Sequence, residues 1–488
     1  MDWFLLFSWI NPHIVGWLAA ALILYWIVVV VALIAADRDP STTLAWILIL
    51  FVLPGFGMFL YYFLGRNWAV SSQKDKWLIA RRAVQQPHMS AIYEQYRGEV
   101  ETFMVQHNHR RIEHIVKTIY NQTSVPPLPA RDVEYWFDGA TYFPELIADL
   151  ASATESIHLQ YFIWEDDELT RHIIDVLVER LEAGVEVRIL NDLFGCFFYS
   201  KKDLRRVKAA GGEVLYDVTS LKKLNYRNHR KIAVVDGVLA HTGGFNIGQE
   251  YIDGGTRYET WRDTGMRFHG PAVVELQNLF CERWYEVAHT SLWSKRYFPL
   301  ERIGSGDTWV QVASQGVEDR WHASTNAYEQ AISAAYDYVW IETPYYVPID
   351  TVADQLINAA FAGVDVRIIL TGVPDKKIAW YAAHTYFRPL LEAGVRVFLY
   401  QSGFFHPKSL VFDDAAAAVG TMNVDVRSLV LHKELMVWAY DAASARINKE
   451  VFLADQAQCA EVTFDYLDAI SHWDRFRNSA CRLASRLL

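Results

Sequence analysis

Cysteine is scarce. The 488 residues hold four, Cys196, Cys281, Cys459 and Cys481, and no pair is spaced as CxxC. That excludes a disulfide scaffold and a zinc ribbon and fits a reducing compartment. Basic residues are also in deficit, with 46 lysines and arginines against 57 aspartates and glutamates and a net charge of −11. A protein that grips nucleic acid without regard to sequence normally carries a basic excess, so this balance argues against that class. Charge as a whole is modest, 21% against 52% hydrophobic residues, which excludes a disordered or fibrous chain. The length suits about three domains and a core large enough to need no metal or disulfide staple.

Two stretches lack charge altogether, residues 14–36 and 44–64. A bilayer core takes about 20 apolar residues per helix, and both stretches qualify. No lysine or arginine precedes Arg38, whereas a cleavable leader has a basic start and a shorter apolar run. Residues 1–66 therefore read as an uncleaved transmembrane helical hairpin. The loop holds Arg38 alone, and Arg66, Lys74, Lys76, Arg81 and Arg82 follow the second segment. The positive-inside rule then places the rest of the chain in the cytoplasm, as a multi-pass protein of the cytoplasmic membrane. Trp3, Trp9, Trp17, Trp26, Trp46, Trp68 and Trp77 suit interfacial belts. Pro54-Gly55-Phe56-Gly57 kinks the second segment, which either spans or dips in and returns. Residues 67–129 read as a polar helical connector. His107, His109 and His114 fall there, but no carboxylate or cysteine pattern completes a metal site around them.

From about residue 130 strands alternate with helices, the pattern of an α/β sheet. The chain then repeats itself. Ser156 to Phe162 resembles Tyr338 to Pro344, and Ala183-Gly184-Val185 to Leu190 echoes Ala362-Gly363-Val364 to Ile369. Each echo is a helix end, a glycine cap and a buried strand. The period is far longer than that of a solenoid and indicates a duplicated domain, with lobes at 130–300 and 301–488.

The sharpest part of the repeat carries chemistry. Asn228-His229-Arg230-Lys231 runs to Asp236 and is followed by Gly243-Gly244-Phe245-Asn246. Phe405-His406-Pro407-Lys408 runs to Asp413 and is followed by Gly420-Thr421-Met422-Asn423. His229 and His406, Lys231 and Lys408, Asp236 and Asp413, Gly243 and Gly420, and Asn246 and Asn423 are all separated by the same interval. Residues two apart on a strand face one side, so each histidine points with its lysine. Two copies across a pseudo-twofold axis present two histidines and two lysines to one pocket. Lysines attract a phosphate as point charges, and Asn246 and Asn423 add amide donors. A neutral histidine can attack phosphorus, and a protonated one can donate to a leaving alkoxide. A carboxylate on the far ring nitrogen would orient each ring. Glu259 and Glu434, which follow their histidines at similar intervals, are candidates. Asp236 and Asp413 either join proton transfer or hold a lysine or a turn.

These paired H-x-K-x-x-x-x-D motifs with G-x-x-N resemble the phospholipase D superfamily. Arg38 to Trp46, Pro54 to Gly57, Tyr61 to Asn67, NHRKIAVVD, GGFNIG and GTMNVDVRS resemble, more narrowly, bacterial cardiolipin synthases. The resemblance implies a two-lobed α/β fold with one shared active site, a phosphohistidine intermediate, and neither metal nor cofactor. It implies that two phosphatidylglycerol molecules are joined into cardiolipin with release of glycerol. It also implies His229 as nucleophile, His406 as general acid, and Glu259 and Glu434 as their orienting groups. The chain ends Leu483 to Leu488 without the proline expected before the final leucines.

A hairpin tether raises the effective concentration of a bilayer lipid, which points independently to phospholipid substrates and a bilayer and away from nucleic acid. Phe404, Phe405, Tyr345, Tyr346 and Trp164 flank the motifs and form either a dry acyl-binding mouth or ordinary core. A hydrolase releasing phosphatidic acid and a catalytically dead membrane scaffold are the competing functions. Both intact motifs disfavour the scaffold. The acceptor lipid, the attacking histidine and the oligomeric state stay open at this level.

Overall fold

A computed structural model of the chain describes residues 12–35, 40–65, 85–106, 110–196, 201–217, 225–304 and 306–483. Arg38, the basic residues Arg66 to Arg82, Trp3, Trp9, Trp68, Trp77, His107, His109 and the terminal residues 484–488 lie outside them. The described residues fall into two compact units, one within residues 1–68 and one following it.

The first unit is helical. Helix Pro12–Ala35 has 24 residues and no charged residue in its end turns, and its side chains are described without a break over 20–35 alone. The second apolar segment is divided. Helix Pro40–Val52 has 13 residues, helix Pro54–Leu60 restarts after Leu53, and a π-helical turn Tyr61–Gly65 closes it. Pro54 is the cause: it has no N–H to donate, and it drives Leu53 out of helical geometry to φ −130°. Thirteen residues rise about 20 Å, short of a hydrocarbon core of about 30 Å. Among the described residues no helix is long and apolar enough to cross a membrane, so the expected pair of spanning helices is not seen. The unit's buried apolar cluster is small, Val29, Leu33, Trp46 and Leu50.

The second unit is built on one mixed sheet of 16 strands. The order in the first lobe, from the outer edge inward, is Glu213–Asp217, Glu186–Asp192, Ser156–Tyr161, Ile232–Val235, Leu239–Gly243 and Trp261–His269. The second lobe repeats it as Arg396–Tyr400, Asp365–Thr371, Tyr338–Glu342, Ser409–Phe412, Ala416–Gly420 and Glu434–Ala439, and adds the short edge strand Cys459–Glu461 outside them. Leu128–Asp138 and Thr308–Gln315 pair with each other at the centre, each flanked by the last strand of its own lobe. Apart from the added edge, the sheet reads the same from either end, as a duplication joined about a pseudo-twofold axis requires.

The repeated glycines act as expected. Gly184 and Gly363 take φ of +93° and +92° after their helices. Val185 N–H then donates to Arg180 O at 2.9 Å and Val364 N–H to Ala359 O at 3.1 Å, the bonds that close a helix C-terminus on a left-handed residue. The polar connector needs correction. Helix Arg110–Thr123 buries Ile112, Ile115, Val116 and Ile119 in the second lobe's core, where Phe103 joins them. Its apolar residues recur at helical spacing and form a core-facing stripe. His114 sits on the exposed face.

Candidate active site

Each histidine stands just before a strand that its lysine and the following apolar run enter. In the first lobe Lys231 leads into Ile232–Val235, and Thr242 Oγ1 donates to Lys231 O at 2.7 Å. The segment before it is stitched to the other lobe. His229 N–H donates to Lys433 O at 3.0 Å and Lys433 N–H to Arg227 O at 2.9 Å. The second lobe mirrors this: Phe404–Phe405 pairs in parallel with Trp261–Arg262, and His406 N–H donates to Arg262 O at 2.8 Å.

This cross-stitching decides which carboxylate meets which ring. His229 Nδ1 lies 3.1 Å from Glu434 Oε2 and 3.1 Å from Thr421 O. His406 Nδ1 lies 2.6 Å from Asp263 Oδ2. Each lobe supplies the orienting carboxylate for the other lobe's histidine. Glu434 is also the acceptor of Thr421 Oγ1–H at 2.5 Å. Gly244 holds the position corresponding to Thr421. A Cβ there would lie 1.9 Å from Asp263 Oδ1, so the close approach of Asp263 requires glycine. Glu259 is exposed and is not the carboxylate found at either ring; Asp263, four residues on and at the mouth of the strand, is the one beside His406. The signal that would have found it is the basic–acidic dipeptide opening the last strand of each lobe, Arg262-Asp263 and Lys433-Glu434.

The lysines are deeply buried, 1% exposed each. Lys231 Nζ donates to His229 O at 2.8 Å, and Lys408 Nζ donates to His406 O and lies 2.8 Å from His406 Nδ1. Burial pushes Lys231 down to about 7, with Glu434 opposing and Lys408 reinforcing the shift. Burial likewise lowers Lys408 to about 8 against the pull of Asp263 and Glu434. His229 is held well below the usual histidine range by burial and then by the two lysines. His406 is pushed down to about 4 by burial and Lys408, with Asp263 opposing. These shifts leave two neutral imidazoles beside two readily titrated amines at neutral pH. A phosphate anion placed among them favours the charged forms of His406, Lys231 and Lys408.

The asparagines differ. Asn246 Nδ2 donates to Tyr251 OH at 2.7 Å and its Oδ1 accepts from Ile163 N–H at 3.2 Å. Asn423 Oδ1 is buried without a hydrogen-bond partner. Asn228 of the motif braces the first lobe, accepting from Gln160 Nε2 at 3.1 Å and donating to Asp217 Oδ2 at 3.0 Å.

Asp236 and Asp413 take the turn-holding role of the two left open. Asp236, at φ +53°, accepts from Thr154 N–H at 2.9 Å, Thr154 Oγ1–H at 2.7 Å, Glu155 N–H at 2.7 Å and Ser156 N–H at 2.9 Å. Asp413, at φ +52°, accepts from the N–H groups of Tyr336, Asp337 and Tyr338 at 2.8, 2.8 and 2.9 Å. Both pin the start of the neighbouring strand, and neither bonds to a motif histidine or lysine. The flanking aromatics are core: Phe405, Tyr346 and Trp164 are fully buried, and Phe404 stacks on the His406 ring at 5.5 Å. Phe162 packs edge-on to His229 at 4.9 Å. His432, which the sequence reading passed over, places its ring 6.0 Å from that of His229.

This geometry has known relatives. The family model described as cardiolipin synthase, PLD-like domain, matches twice, at residues 146–275 and 328–455. A second, described as phospholipase D-nuclease N-terminal, matches residues 20–66. The chain is 32% identical over 470 residues to the major cardiolipin synthase ClsA of Bacillus subtilis, covering 94% of this chain and 96% of that one. It is 35% identical over 462 residues to a cardiolipin synthase of Staphylococcus aureus, covering 92% of each. Among solved structures, a phosphatidylserine synthase of Haemophilus influenzae Rd KW20 superposes with a TM-score of 0.59 at 14% identity, over 77% of this chain and 100% of that one. This last likeness speaks to the fold alone.

Proposed function

The chain belongs to the phospholipase D-like cardiolipin synthases, and from that premise we propose that it makes cardiolipin by two displacements at one phosphorus, through a phosphatidyl-His229 intermediate. One observation carries the reading: two histidine–lysine pairs converge on one pocket, and each ring is held at Nδ1 by the other lobe's carboxylate. A proton fixed on Nδ1 leaves Nε2 free to act.

In the first step His229 Nε2 attacks the phosphorus of one phosphatidylglycerol. The bond to the glycerol oxygen breaks, and His406 gives the departing alkoxide its proton. Glycerol leaves and the phosphatidyl group stays on nitrogen. In the second step the terminal hydroxyl of another phosphatidylglycerol yields its proton to His406 and attacks phosphorus. The P–N bond breaks, releasing cardiolipin and His229. Lys231 and Lys408 with Asn246 and Asn423 hold the phosphate oxygens in both steps. The division of roles is supported by the tighter carboxylate contact at His406, 2.6 Å against 3.1 Å at His229, since a carboxylate close to Nδ1 favours the charged ring an acid needs.

The first unit serves as the membrane anchor, with the catalytic lobes on the cytoplasmic side. Support comes from its surface. It buries four apolar side chains as a cluster yet exposes Leu24, Ile27, Val28, Leu44, Leu48 and Phe51, among others. So many large apolar side chains exposed on one small unit call for lipid.

The test uses purified protein in phosphatidylglycerol vesicles without added metal, following cardiolipin, glycerol and phosphatidic acid together. Equal amounts of cardiolipin and glycerol, both abolished in His229→Ala, are expected. A His406→Ala variant should still form the covalent intermediate from a lipid with a good leaving group. Phosphatidic acid without cardiolipin would make the enzyme a hydrolase, and the opposite behaviour of the two variants would exchange the histidines' roles.

A further inference from the structure

The repeat that builds the pocket is broken at one chemically decisive place. Four residues after Asn423 stands Arg427, and at the matching position, four residues after Asn246, stands Glu250. The two flanks of an otherwise twofold site thus carry opposite charge. On the Glu250 side the neighbouring charges are chiefly negative: Glu165, Asp167 and Asp375, with Arg257 opposing. A second phosphate would be repelled there.

The Arg427 side is different. Arg427 opens the π-helical turn Arg427–Leu431 and is only partly exposed. Its Nε is buried without a hydrogen-bond partner. The charges it feels are Asp425, which Ser428 N–H already caps at 2.8 Å, and Arg227. Arg227 is itself committed to Asp192 at 2.5 Å. Beside it His432 is 8% exposed, and neither ring nitrogen has a hydrogen-bond partner. Its Nδ1 lies 3.6 Å from Glu434 Oε1, beyond hydrogen-bonding range. His432 N–H donates to Arg427 O at 2.8 Å, which fixes the two residues together. An arginine largely removed from water with its Nε unpaired, next to an imidazole that makes no hydrogen bond, costs free energy unless a ligand completes it.

The two-displacement reaction, on which this inference rests, supplies such a ligand. When the second phosphatidylglycerol attacks, two phosphates one glycerol apart occupy the site. The first takes Lys231, Lys408 and the asparagines. The second carries a permanent negative charge and needs a cation of its own. We propose that Arg427, with His432 as its polar wall, binds the phosphate of the acceptor phospholipid and so directs the phosphatidyl group to a lipid and not to a small alcohol.

The experiment compares two acceptors for the same intermediate. In phosphatidylglycerol vesicles with labelled free glycerol, the enzyme either makes cardiolipin or returns labelled phosphatidylglycerol. Free glycerol has no phosphate. Arg427→Gln should lower cardiolipin formation roughly 10- to 100-fold more than glycerol exchange, the worth of a charged hydrogen bond. The apparent KM for the acceptor lipid should rise, and Arg427→Lys should recover part of the loss. Equal loss of both reactions would assign Arg427 to the first phosphate or to folding, and loss of neither would remove it from the site. Wild-type enzyme that exchanges glycerol but never forms cardiolipin would overturn the function itself, and the acceptor site with it.

Discussion

Replacing Glu434 by glutamine separates the swapped orienting arrangement from the same-lobe arrangement expected of Glu259. Glu434 is fully buried and accepts from His229 Nδ1 at 3.1 Å and Thr421 Oγ1 at 2.5 Å. An amide in its place can turn its NH₂ toward Nδ1. The imidazole then accepts there and carries its proton on Nε2, where the attacking lone pair should be. Loss of one charged hydrogen bond costs about 1.5–3 kcal/mol, or about 13- to 160-fold in rate, and the wrong tautomer can raise the penalty toward about 10⁴. The expected result is a fall of at least about 100-fold in trapped phosphatidyl-enzyme, with the thermal transition still cooperative. Asp263→Asn should behave differently. It weakens the acid and not the nucleophile, so turnover of phosphatidylglycerol falls while a substrate with a p-nitrophenol leaving group is largely spared. Glu259→Gln, at an exposed residue that is not a bonding partner of either ring, should stay within about threefold of wild type. Normal trapping in Glu434→Gln together with loss in Glu259→Gln would refute the assignment.

Three further outcomes follow from the same contacts. The lysines bind phosphate in their charged form, and in the free enzyme that charge is lost as pH rises through about 7 for Lys231 and about 8 for Lys408. Because kcat/KM reports the free enzyme, it should fall on the alkaline side from near neutrality, while the acid limb waits for protonation of the attacking ring, His229, held well below the usual histidine range. A profile flat to pH 9 would contradict this. Asp236→Ala removes the acceptor of four hydrogen bonds from Thr154, Glu155 and Ser156 and puts alanine at φ +53°. Urea unfolding should show a loss of about 2–4 kcal/mol, with activity per folded molecule nearly unchanged; a specific loss of turnover would return Asp236 to the chemistry. Leu24→Arg with Ile27→Arg places two charges on the exposed apolar face of the first helix, each costing about 2.5–3.5 kcal/mol in a bilayer centre. The double variant should leave floating vesicles for the soluble fraction, and unchanged flotation would mean that this face does not meet lipid.

The duplication was legible because it is written in local chemistry. A glycine at a helix end, a histidine two residues from a lysine and an asparagine after a turn are each set by their own strand and repeat at a fixed interval. The orienting carboxylates were half legible, for a reason the repeat itself contains. The link from Asn246 to Asp263 in the first lobe is longer than the link from Asn423 to Glu434 in the second. The longer link holds the short helix Glu250–Asp253 and the left-handed pair Gly254 and Gly255, so a carboxylate sought near the second lobe's spacing falls on the exposed Glu259. The exchange of carboxylates between lobes has no local signature, because it comes from backbone pairing of Asn228 with Lys433 and of Phe404–Phe405 with Trp261–Arg262. Helix Arg110–Thr123 was misjudged for a related reason: its polar composition hid a regular apolar stripe that has meaning only against a core partner distant in the chain. Exchange has a consequence for catalysis. A lobe alone holds a histidine without its neighbouring carboxylate and a carboxylate without its ring, so on the proposed mechanism neither lobe forms a competent nucleophile. The chemistry therefore depends on the seam between Leu128–Asp138 and Thr308–Gln315, and the two halves of this site are bound to act as one.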